Sequence, residues 1–151
     1  MKQLTSVLKL LIIFLFTLST QRIMAQKSAT DMVKAAKQEI ENLTPQQAQE
    51  EISKGNVTVI DIREPGELQK TGKIAGSVNA PRGMLEFYAD PSLPSHKPEF
   101  DKEKRIILYC ASSGRSALAV KTLKEMGYTN IAHIDGGMNA WKEAGLPVEQ
   151  P

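Results

Sequence analysis

Cysteine is all but missing from this chain: Cys110 is the single one among 151 residues, so an intramolecular disulfide is excluded. Thiolates cannot assemble a zinc site either. The two histidines, His96 and His133, are far apart in sequence and show no ligand spacing. No metal ligand set and no cofactor motif is read. There is no internal repeat and no low-complexity tract, so repeat architectures drop out. Long apolar runs are absent except for one near the start, Leu10-Leu11-Ile12-Ile13-Phe14-Leu15-Phe16-Thr17-Leu18, which falls short of the ~20 residues a comfortable membrane span needs.

That run has a definite context. Lys2 and Lys9 precede it and Ile23-Met24-Ala25 follows a polar stretch, which is the layout of an export signal with a small-residue cleavage site. Residues 1–25 are read as a signal cut between Ala25 and Gln26, which makes the protein exported, and periplasmic in a bacterium. An uncleaved anchor that tethers the same domain to a membrane stays open, because Ile23 is an unusual third residue before the cut. Excess charge of either sign is also lacking. Removing Lys2, Lys9 and Arg22 from 19 Lys and Arg leaves 16 against 17 Asp and Glu, so nucleic-acid binding gains no support.

About 126 residues then remain, enough for one domain and too few for two. From Asp31 to Glu41, apolar Met32, Ala35, Ala36 and Ile40 alternate with charges, which predicts an amphipathic helix. Residues 26–43 are left as a helix that either docks on the domain or spaces it from the signal. A second helix has clear punctuation: Thr44 as N-cap, Pro45 at its first position, Gln47 at its third and Gly55 beyond its end. Val57-Thr58-Val59-Ile60 reads as a strand. Strand and helix signals alternate onward to Trp141, which predicts an α/β fold with a mainly parallel sheet and helices on both faces. Trp141 is expected in the core, and His133 in the short strand Ile131–Ile134 is expected to be structural.

Cys110 sits where such a fold does chemistry. Arg105-Ile106-Ile107-Leu108-Tyr109 is a short apolar run and predicts a buried parallel strand. Ala119, Leu123 and Met126 recur at helical spacing from Gly114 onward, and Gly127 ends that helix. The cysteine therefore lies at the carboxyl end of a strand with a helix N-terminus aimed at it, the edge at which open α/β sheets bind ligands. Unpaired N–H groups and the positive helix end favour an anion there, and a thiolate is one. A lone cysteine is most often an inert core thiol. Here small, polar, flexible residues follow it and Arg115 closes the loop, none of which a core position needs.

Four segments in this order resemble the rhodanese homology domain, the sulfurtransferase module: Val59–Glu67, Gly72–Pro81, Tyr109–Ser116, and Ile134–Trp141 with Gly145-Leu146-Pro147. The resemblance spans residues 44–147, and the domain is assigned 44–151. It implies a rhodanese-like sheet and a sulfurtransferase in which Cys110 is the catalytic nucleophile. The N–H groups of Ala111, Ser112, Ser113, Gly114 and Arg115 then cradle the transferred sulfur. Arg115 holds the anionic part of the donor, or else only fixes the loop. Asp61 and Arg63 support the site as a charge pair.

Four residues separate Cys110 from Arg115. The phosphatases and arsenate reductases of similar fold have a loop one residue longer, wide enough for a tetrahedral oxyanion, so the shorter loop favours sulfur. Small sulfur donors, a thiol or cyanide acceptor, and a protein acceptor are the implied partners. A persulfide carrier serving a protein partner is the main alternative, a non-catalytic interaction module another, and a phosphatase-like or arsenate-reductase-like enzyme a more distant one. The segment Arg82–Pro98 is long, and its prolines exclude a continuous helix through its second half. It is expected either to overhang Cys110 and shape acceptor choice or to be a plain surface insertion.

Overall fold

In the computed structural model, which describes residues 26–151, the first two helix starts are set by local caps. Ser28 and Asp31 bond reciprocally and start α1 (Ala29–Glu39), two residues earlier than the apolar periodicity predicts. The helix stops where Ile40 becomes extended. Strand β1 (Glu41–Leu43) follows, and then Thr44 caps α2 (Pro45–Ser53) through a reciprocal pair of bonds with Gln47, as the sequence predicts. The export segment lies outside the described residues. Among the described residues no helix is long and apolar enough to cross a membrane.

The chain continues through β2 (Val57–Asp61), α3 (Pro65–Thr71), β3 (Lys73–Ile74) and β4 (Val78–Asn79). A 3-10 turn (Arg82–Met84) leads into α4 (Leu85–Ala89). The remaining elements are β5 (Arg105–Tyr109), α5 (Gly114–Glu125), β6 (Ile131–Ile134), α6 (Gly137–Glu143) and β7 (Val148–Glu149). Five strands form one sheet in the order β1-β6-β5-β2-β4, with every neighbouring pair parallel. β3 and β7 pair antiparallel beside it.

Side chains alternate across each strand, and here both sides are covered. Ile60, Ile62, Ile106 and Leu108 pack with Ala36 of α1 and Ile40 just beyond it, Leu85 and Ala89 of α4, and Ala117, Val120 and Leu123 of α5. Val59, Ile107, Tyr109, Ala132 and Ile134 pack on the other side with Ala48 of α2 and Met138 and Trp141 of α6. The fold is the α/β one, a mainly parallel sheet with helices on both faces, that the sequence predicts.

Register then assembles the functional edge. Asp61 pairs with both Tyr109 and Asn79, Leu108 pairs with His133, and Leu43 pairs with Ile134. The carboxyl ends of all five strands are therefore level, and Cys110 is the first residue beyond the central one. The segment Arg82–Pro98 begins at this edge, where the Arg82 N–H donates to Ile62 O. It forms the helical turns expected of its first half and then leaves. The Tyr128 hydroxyl, beyond the far end of α5, lies 2.8 Å from Ala89 O and 3.0 Å from Phe100 O, and its one proton serves either carbonyl. Pro91, His96 and Pro98 line a surface cavity with Tyr128 and Lys102 at that opposite edge. The second half of the segment thus packs beside Tyr128 on its way to β5, and only Lys97 reaches back to the functional edge, with Nζ 3.5 Å from Asn79 O.

Candidate active site

Cys110 follows a strand whose last four residues are buried, and it is itself only 1% exposed. It opens the loop Ala111–Arg115 and shares the apolar cluster on the α5 side of the sheet. Such burial restricts attack to a slim, terminal atom of a reactant.

Helix α6 fixes the outer side of this loop. Its N–H groups at Met138 and Asn139 donate to the carbonyls of Cys110 (2.8 Å) and Ala111 (3.0 Å). In trans peptides the N–H points away from the preceding carbonyl, so the Ala111 and Ser112 N–H groups face away from α6. The approach is so close that a Cβ at position 137 would stand 2.3 Å from Cys110 O, and φ is +58° there. Only glycine fits.

The inner curl comes from Ser113, whose φ of 75° makes it the one left-handed non-glycine residue among those described. None of the N–H groups from Ala111 to Ser116 donates to a protein acceptor among the described residues. An arc of unpaired donors thus runs into the first turn of α5, a helix of 12 residues whose positive end adds to them.

Polar side chains hold Ser113 in place from behind. Ser116 Oγ lies 3.1 Å from Ser113 O and 3.0 Å from His133 Nδ1, so its one proton serves either acceptor. His133 Nε2 meets Asn42 Oδ1 at 2.8 Å, and the Asn42 amide donates to the carbonyls of Lys37 and Ile40. Burial pulls His133 down to about 4, so the ring is neutral. Lys37 also reaches Asp135 at 2.5 Å, beside the start of α6. The sequence left α1 as docked or spacing; it is docked, and Val33 Cγ2 lies 3.7 Å from where a Cβ on Gly114 would be.

Arg115 does not stand free. Its two terminal nitrogens bond the two oxygens of Glu67 at 2.8 and 2.7 Å, a planar fork on a planar carboxylate. Arg115 above all, helped by the Glu64 N–H, draws the Glu67 carboxyl down to about 2 against its partial burial. Glu67 first, and Cys110 behind it, hold the guanidinium firmly protonated.

Asp61 and Arg63 share the Cys110 edge but not its loop. They form a fully buried pair, with Arg63 Nε on both Asp61 oxygens at 2.9 and 3.1 Å. Burial alone would weaken the Arg63 charge, and the bonds to Asp61 more than offset that. The remaining donors reach Thr71 Oγ1 (2.7 Å) and Gly72 O (2.8 Å), so the pair braces α3, the helix that carries Glu67. Sequence reasoning assigned no role to Glu67, Ser116, Asn42 or Gly137. Glu67 could be read as a local helix cap three residues after Glu64, but its partner lies 48 residues further on. Among the described residues no cluster of three or more His, Cys, Asp or Glu side chains could hold a metal ion.

Residues 44–144 match the family model described as "Rhodanese-like domain". A protein of unknown function from Rhodopseudomonas palustris, named as a possible tyrosine phosphatase, has a solved structure with 42% identity and a TM-score of 0.77, covering 83% of this chain and 97% of that one. A sulfurtransferase of Allochromatium vinosum is 30% identical over 96 residues, 64% of this chain and 81% of its own. A Synechocystis protein that is uncharacterised is 35% identical over 107 residues, 70% of this chain; the match spans only 54% of that longer protein.

Proposed function

The chain belongs to the rhodanese-like family, and from that premise we propose that it transfers sulfane sulfur through a persulfide on Cys110. The observation that carries this reading is the arc of unpaired N–H donors from Ala111 to Ser116 directly beyond the thiol. The Cys110 thiolate attacks the outer sulfur of a donor such as thiosulfate. A new S–S bond forms on Cys110, the donor's S–S bond breaks, and its electron pair leaves with sulfite. The persulfide carries the negative charge into the N–H arc. Cyanide or a thiolate then attacks the outer sulfur and returns Cys110 as thiolate, a two-step cycle with ping-pong kinetics.

The A. vinosum relative is named for sulfur transfer. The R. palustris neighbour's name favours a second reading, phosphate ester hydrolysis. The four-residue span from Cys110 to Arg115 opposes it, since an arc sized for one sulfur atom is too tight for a phosphoryl group. A carrier that loads sulfur and gives it only to a protein partner shares the first half-reaction. Export with cleavage after Ala25 completes the proposal. N-terminal sequencing of the exported form is expected to begin at Gln26, and Met1 on membrane-bound protein would replace cleavage with an anchor.

Intact mass spectrometry tests the chemistry. Thiosulfate is expected to add one sulfur, about 32 Da, to the mature protein and cyanide to remove it. Cys110→Ser abolishes both, as no other thiol exists. Persulfide formation without cyanide turnover favours the carrier. Aryl phosphate hydrolysis with no mass change favours the phosphatase.

A further inference from the structure

The one arginine of the Cys110 loop is already occupied by an anion of the protein's own. Both terminal nitrogens of Arg115 are spent on Glu67, in the bidentate geometry that an oxyanion of a donor would otherwise use. The carboxylate is not a loose surface group. The Glu64 N–H holds one of its oxygens at 3.0 Å, and the Glu67 carbonyl accepts from Thr71 Oγ1 at 2.8 Å. Thr71 in turn accepts from Arg63, so α3 is pinned to the buried Asp61–Arg63 pair. The carboxylate and guanidinium are both about one-third exposed, so the pair faces the solvent from which a donor arrives.

Charges at the mouth of the site therefore cancel before any donor binds. A dianion such as thiosulfate must either displace Glu67 from the fork or lie beside a carboxylate and a thiolate with Arg115 already paired. A monoanion whose leaving group carries one charge fewer, such as a thiosulfonate or an alkyl persulfide, meets a smaller barrier of the same kind. We propose that Glu67 is a specificity-determining residue, a built-in competitor for Arg115 that biases the site towards monoanionic sulfane donors over dianionic ones. This rests on the sulfur-transfer reading above and names the donor class within it. With a thiosulfonate the thiolate forms the same bond to the terminal sulfur, and the electron pair leaves with a sulfinate instead of sulfite.

The test compares thiosulfate with methanethiosulfonate, cyanide being the acceptor for both, in mature wild type and in Glu67→Gln. The amide keeps the shape and the bond to the Glu64 N–H but removes the charge. KM for thiosulfate is expected to fall roughly 5–20-fold, while the thiosulfonate KM changes about twofold or less, shifting the ratio of kcat/KM values towards the dianion by about tenfold. Glu67→Asp, which keeps the charge, is expected to stay within about threefold of the wild-type ratio. Should Glu67→Gln fail to fold, Glu67→Ala is read on the same two donors. An equal change with both donors, or none, in an active enzyme overturns the proposal alone. Wild type that takes sulfur from neither donor overturns sulfur transfer itself, and the proposal with it.

Discussion

His133 shows how one residue can serve the site without touching a reactant. Its ring is fully buried and joins Asn42 on the N-terminal side to Ser116 behind the left-handed Ser113. Folding holds it neutral: burial moves it from 6.5 to about 4, opposed by Asp135 and reinforced by Lys37. Between those values the unfolded chain binds a proton that the folded one refuses, so stability is complete above about 6.5 and declines on acidification towards 4. The slope is at most ~1.4 kcal/mol per pH unit, for a loss of about 2–3 kcal/mol across the window. Urea unfolding at pH 7 and 5 checks this. His133→Gln is expected to be less stable at pH 7 but to lose far less between the two pH values. An unchanged slope in that variant would move the acid sensitivity to other groups.

Elements meet most tightly where α6 begins, on the two carbonyls that open the cysteine loop. Gly137→Ala places a methyl group into Cys110 O and keeps a left-handed backbone that costs a non-glycine residue about 1–2 kcal/mol. Gly136→Ala is the fitting control, because its φ is also positive (73°) but its added Cβ meets Ala140, within α6 itself. Both variants are expected to lose stability. Only Gly137→Ala displaces the N–H arc, and it is expected to lose sulfur transfer by roughly tenfold to a hundredfold in kcat. Equal kcat losses in the two would show that the α6 contact merely holds the fold. At this scale the sequence was most legible, because the signals are local. Thr44, Pro45 and Gln47 mark a helix start by themselves, and the run Arg105–Tyr109 marks a doubly covered strand. The bond from Glu67 to Arg115 and the chain Asn42–His133–Ser116 were not legible, since each partner is fixed only by sheet order. Nor was the path of Arg82–Pro98: its prolines exclude a helix but do not say along which edge the chain returns.

The whole molecule includes more than the family match, which begins at residue 44. Residues 26–43 supply α1, packed along α5, and β1, the edge strand against β6. Ala36, Ile40 and Leu43 are buried there, and Asn42 and Lys37 carry the bonds that reach His133 and Asp135. A cut after Ala25 spares all of this, because the Ser28–Asp31 cap of α1 lies just beyond it. Starting the chain at Thr44 instead would strip one strand from the sheet and uncover the face of α5 on which α1 packs. Burial of one large aliphatic side chain is worth ~2–5 kcal/mol by truncation, and a domain has only ~5–15 kcal/mol in total. The chain 44–151 is therefore expected to be unfolded or to lose at least about 4 kcal/mol, read by circular dichroism and urea unfolding against 26–151. If it does fold, Ser113 has lost its support from His133 and Asn42, and persulfide formation from thiosulfate is expected to be slower by roughly tenfold or more. A chain 44–151 as stable and as fast as 26–151 would mean that α1 and β1 only decorate the domain.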